Sequence, residues 1–83
     1  MSSLNVESRV KHVFANIFPV DETSLTATTG PDEIESWDSL KHMSLVAGLE
    51  SEFHISFEIE EIMQLENVGT AITIVRGKIG DLS

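Results

Sequence analysis

The tetrapeptide Trp37-Asp38-Ser39-Leu40 concentrates the residue types in this sequence that could do chemistry. A serine hydroxyl becomes a nucleophile when a base lies beside it and a third group orients that base. His42 stands about one helical turn beyond Ser39, but the glycines that build a nucleophile elbow are missing around the serine. A hydrolase reading therefore fails on its surroundings. Metal chemistry fares no better. There is no cysteine, and His12, His42 and His54 are scattered, with no two at ligand spacing on one helix. All three read as surface or half-buried polar residues. An EF-hand loop begun at Asp32 would put Ile34 and Ser36 at ligand positions and Trp37 where glycine is required. No metal site is expected, and Ser39 is left without a base of its own.

Four segments of apolar periodicity must position this serine. Val6, Val10, Val13, Phe14 and Ile17 fall at helical spacing and predict a helix over about 5–18, starting near Asn5 and stopped by Pro19. Residues 20–37 read as a long loop, pinned to the core by Leu25 and Ile34 or holding a short helical turn. A second helix over 38–53 opens with Asp38 as N-cap. Leu45, Val46, Leu49 and Phe53 make one face of it, with His42 among them, and Leu40, Met43 and Ala47 make a second, narrower stripe. Ser39 lies between the two. The segment 58–65 reads as a short helix with glutamates in its first turn. The segment 67–79 is ambiguous, because Val68, Ala71, Ile72, Val75 and Ile79 keep helical spacing while its β-branched residues favour strand. A lone strand would have nothing to pair with, so a helix is expected. Asn67 would be its N-cap, Gly69 would weaken its first turn, and Gly77 and Gly80 would let its end fray. The expected fold is all-α: a small four-helix bundle with a long first loop and a short third helix.

With these elements in place the chain resembles the acyl carrier proteins, small four-helix domains that carry 4′-phosphopantetheine. The resemblance rests on Asp38-Ser39-Leu40 opening the second helix and on the run Leu45-Val46-Ala47-Gly48-Leu49-Glu50-Ser51-Glu52-Phe53-His54-Ile55. It continues through the glutamate-rich third segment to Val68 and Ile72, without gaps from Trp37 to Val75. It implies a carrier rather than an enzyme. Ser39 would hold the phosphopantetheine, flanked by Asp38 and Leu40, and a phosphopantetheinyl transferase would attach it. It also implies a docking surface, assigned to Trp37, Leu40, Lys41, Met43, Ala47, Glu50, Glu60 and Glu61. Core positions that line an acyl cleft would be His42, Leu45, Leu49, Phe53, Phe57, Ile62, Leu65, Val68 and Ala71. Fatty-acid members usually carry acids just after the serine, where this chain has Lys41, His42 and Ser44, and a small residue where it has Trp37. The pattern looks more like specialised carriers of polyketide-type or amino-acid-loading pathways. His42 and Phe57 add bulk where the cleft is expected, so a long acyl chain is not expected to be fully sheltered. An aminoacyl or peptidyl carrier, or an acidic helical adaptor that leaves Ser39 unused, are the competing readings.

Composition bounds the partners. The chain has 83 residues, with 14 acidic against 5 basic side chains and a formal net charge of −9. One domain of this size buries only about 60% of its unfolded surface. A balance this acidic argues against nucleic acid and against anionic membranes. No apolar run is long enough to span a bilayer, and Met1-Ser2-Ser3-Leu4-Asn5 lacks the basic-then-apolar pattern of a signal peptide. A cytoplasmic monomer is expected. Residues 30–66 hold ten acids against Lys41 alone, so the charge gathers around Ser39 and favours basic partner enzymes, here acyl- or aminoacyl-loading and synthase enzymes.

Overall fold

The computed structural model describes residues 6–80; the helix start expected at Asn5 lies outside them. Four α-helices follow in order: α1 (Val6–Ile17), α2 (Ser39–Phe53), α3 (Ile59–Gln64) and α4 (Val68–Ile79), with a 3₁₀ turn at Glu22–Ser24. Among the described residues there is no strand.

The apolar stripes decide how these helices meet. α1 buries Val6, Val10, Val13 and Phe14; α2 buries Leu45, Val46, Leu49 and Phe53; α4 buries Val68, Ala71, Ile72 and Val75. α1 lies against both α2 and α4. At its crossing with α2 a Cβ on Gly48 would sit 3.0 Å from Val13, so the small residue permits the approach. Outside that contact Arg9 donates to the Glu52 carboxylate at 2.8 Å and to its carbonyl at 2.9 Å, with its guanidinium over the Phe53 ring. β-branched residues in α4 do not prevent its helix, because burial of one helical face outweighs a propensity difference of a few tenths of a kcal/mol per residue.

The termini of the helices are chemically specified. Asp38 accepts the Lys41 N–H at 2.9 Å and Asn67 accepts the Thr70 N–H at 2.7 Å, each satisfying a first-turn donor. α2 ends at His54, which is left-handed with φ 56°. α4 ends at Gly80 with φ 75°, whose N–H returns to the Arg76 carbonyl. Gly80 therefore closes the helix as a C-cap rather than fraying it.

The long connection between α1 and α2 is ordered by both devices the sequence allowed. Leu25 and Ile34 are buried, and a 3₁₀ turn forms behind Asp21. Donation from the Thr23 N–H and hydroxyl holds the Asp21 carboxyl below its ordinary range. Downstream, Gly30 donates to the Glu33 carboxylate at 2.8 Å. The loop delivers Trp37 into an aromatic cluster, 5.5 Å from Phe14 and 5.3 Å from Phe18 between ring centroids. That anchor sets the position of the two residues that follow it.

Candidate functional site

Ser39 is the first residue of α2 and is exposed, with Asp38 before it and Leu40 after it also exposed. A helix N-terminus leaves its first N–H groups without intrahelical acceptors and carries the positive end of the helix dipole. The Asp38 carboxylate takes the Lys41 N–H at 2.9 Å.

Beside this terminus runs an open groove of about 580 Å³ between the end of the loop, α2 and α3. Ser39, Asp38, Trp37, His42 and Met43 line one side, and Ile62, Met63, Leu65 and Glu66 the other, with Pro31 at the rim. Across it, the Trp37 indole N–H donates to His42 Nδ1 at 2.9 Å, and His42 Nε2 lies 2.8 Å from the Ile62 carbonyl oxygen. An imidazole that accepts at Nδ1 carries its proton on Nε2, so His42 donates to Ile62 and the neutral tautomer is fixed by its neighbours. The indole and imidazole rings stack at 6.0 Å.

The groove thus gathers Ser39, Asp38, Trp37, Met43, His42, Ile62 and Leu65 from the residues singled out in the sequence. It does not gather the others. Leu45, Leu49, Phe53, Val68 and Ala71 are buried in the core behind it, and Phe57 is buried beyond it with the Lys78 ammonium 6.0 Å from its ring. Leu40 and Met43 are 76% and 51% exposed and Ala47 is exposed, so the second stripe of α2 faces solvent as a continuous apolar strip. Glu60 is exposed as well.

Four of the residues assigned to docking also make contacts within the fold. Trp37 is buried among Phe14, Phe18 and His42, with its remaining surface on the groove. Lys41 is half-buried and donates to the Ile17 carbonyl at 3.3 Å, tying the start of α2 to the end of α1. Glu50 accepts the Phe57 N–H at 2.8 Å and so holds the turn after α2. Glu61 accepts the Glu58 N–H at 2.8 Å and pairs with Lys78 at 2.8 Å. These two contacts, the Glu58 amide first, hold the Glu61 carboxyl below its ordinary range. Ile59 and Met63, assigned to no site from the sequence, are 76% and 79% exposed, and Met63 lines the groove. Their i, i+4 spacing on α3 was the signal available in the sequence.

A helical domain that offers an exposed serine at a helix N-terminus, beside a groove and an apolar strip, has the form of a carrier domain. Comparison with known proteins agrees. No protein-family model matches the chain. It is 29% identical over 72 residues to the acyl carrier protein of Petrotoga mobilis, spanning 86% of this chain and 84% of that one. It superposes with a TM-score of 0.81 on the solution structure of the holo acyl carrier protein of Geobacter metallireducens. The identity there is 32%, over 93% of this chain and 88% of the other. The chain belongs to the acyl carrier protein family, and its role is that of a carrier.

Proposed function

We propose that Ser39 carries 4′-phosphopantetheine and that the protein presents acyl groups on that arm to the enzymes of a specialised pathway. The residues present fit such a group. Ser39 is exposed on the first turn of α2, where a phosphate would meet free backbone N–H groups and the positive end of the helix dipole. The arm supplies a terminal thiol able to hold acyl groups as thioesters, which a chain without cysteine does not itself provide. Asp38 organises the turn that holds the serine out, and Trp37 anchors that turn in the core. Leu40, Met43 and Ala47 form the apolar part of the docking face, rimmed by Glu60 and other acids of residues 30–66, and basic partner enzymes complement it. Those partners include a phosphopantetheinyl transferase, acyl- or aminoacyl-loading enzymes and a synthase. The specialised reading rests on Lys41, His42 and Ser44 following the serine in place of acids.

The observation that carries this reading is the exposed Ser39 hydroxyl at the capped start of α2. Co-expression with a promiscuous phosphopantetheinyl transferase should add one phosphopantetheine mass to the wild type and none to Ser39→Ala. A wild type left unmodified by several such transferases would overturn it, and partner binding unchanged by Ser39→Ala would point to an adaptor instead.

A further inference from the structure

The groove beside Ser39 lies between α2 and α3, and His42 bridges its two sides. Its two nitrogens are both engaged, Nδ1 by the Trp37 indole N–H at 2.9 Å and Nε2 by the Ile62 carbonyl at 2.8 Å. The bridge is braced at one end by Trp37, itself clamped between Phe14 and Phe18. At the other end it ties α2 to α3, a helix of six residues none of which is buried. Beyond it Leu45, Leu49, Val68 and Ala71 are all 0% exposed, a closed apolar wall.

We propose that the Trp37–His42–Ile62 bridge is a specificity determinant of this carrier, closing the seam between α2 and α3 to long alkyl chains and selecting short or polar acyl groups. The inference rests on the attachment of the arm at Ser39. An alkyl chain entering the seam would part His42 Nε2–H from the Ile62 oxygen and leave both without a partner in an apolar setting. A short acyl group stays in the open groove and leaves the bridge intact. One bearing a hydroxyl or amino group can trade hydrogen bonds with the bridge instead of orphaning it.

The test uses a promiscuous phosphopantetheinyl transferase to move acetyl- or tetradecanoyl-phosphopantetheine from the corresponding coenzyme A thioester onto Ser39 of the full chain, releasing adenosine 3′,5′-bisphosphate. Three quantities are read for each form: melting temperature, rate of thioester cleavage by hydroxylamine, and the NMR signal of the His42 Nε2 proton. Wild type is expected to melt at the same temperature with either cargo, to release both at the same rate, and to keep the Nε2 proton signal. His42→Ala is expected to raise the melting temperature of the tetradecanoyl form over its own unloaded form by about 5 °C and to slow its cleavage several-fold. A wild-type tetradecanoyl form that is stabilised and protected, with loss of the Nε2 proton signal, would overturn the proposal, as would a His42→Ala protein that treats both cargoes alike. Should that variant not fold, the wild-type comparison decides alone. A wild type that accepts no arm overturns the attachment reading and this inference with it; one that accepts the arm and then shelters the long chain overturns only the inference.

Discussion

The N–H of Gly69 donates to the carbonyl of Ala27 at 2.8 Å, and the same two residues lie so close that a Cβ on Gly69 would sit 2.9 Å from that oxygen. With the Val68 N–H on the Thr29 carbonyl at 3.0 Å, this bond uses first-turn donors of α4 to strap the long loop across the bundle. Gly69, which read in the sequence as a weakness of α4, is the gap that lets the strap close. Gly69→Ala is therefore expected to cost about 1–3 kcal/mol, since backbone on both sides must move. Gly77, with open space around its Cβ position, is the control: Gly77→Ala should gain about 0.5–1 kcal/mol. Urea denaturation of the two variants measures both, with opposite signs expected.

Trp37 is expected to matter to the fold and only through it to docking. Removing the side chain in Trp37→Ala should cost about 3–5 kcal/mol, a large share of what a small domain has. Trp37→Phe keeps most of the burial and loses the hydrogen bond to His42, at about 0.5–1.5 kcal/mol. Leu40→Ala, at an exposed position, should stay within about 0.5 kcal/mol of wild type. It should nevertheless weaken transfer to and from partner enzymes. Since Trp37 is the one tryptophan, its emission should be blue-shifted in the native protein and shift red in a single step with unfolding.

These cases show where the sequence was legible. The N-caps Asp38 and Asn67 are local devices, with donors three residues on, and could be read from residue order alone. The faces of α1, α2 and α4 followed from periodicity, and the serine at the start of α2 from its motif. The contacts that Trp37, Lys41, Glu50 and Glu61 make within the fold were not legible in that way. Their partners (Phe14 and Phe18, the Ile17 carbonyl, the Phe57 amide, and Lys78) lie on other elements, and only tertiary structure brings them together. The same holds for Gly69, whose neighbour Ala27 belongs to the loop.

The end of α2 carries a conformational cost that a single substitution can remove. Among the described residues His54 is the one non-glycine residue with positive φ, at 56°, and its side chain is exposed. A left-handed L-residue costs about 1–2 kcal/mol relative to the right-handed region, and glycine is free of that penalty. His54→Gly is expected to raise stability by up to about 1 kcal/mol after the entropy that glycine adds to the unfolded chain. For a domain of this size that is a rise of roughly 4–8 °C in melting temperature, readable by circular dichroism.

Glu61 sets an acid limit on α3. Its folded-state carboxyl is held below the ordinary range by the Glu58 amide and by Lys78. A group whose folded pKa is depressed contributes stability that is fully present above its unfolded pKa and is lost as pH falls through the folded one. Protonation would release the Glu58 N–H and the Lys78 ammonium together, from a short helix that buries none of its own residues. Glu61→Gln keeps the shape and removes the titration. At neutral pH it should be less stable than wild type, and the difference should shrink as pH falls through and below the ordinary carboxylate range. Melting temperatures of the two proteins across that range measure the difference directly. A gap that stays constant with pH would assign the role of Glu61 to shape rather than charge.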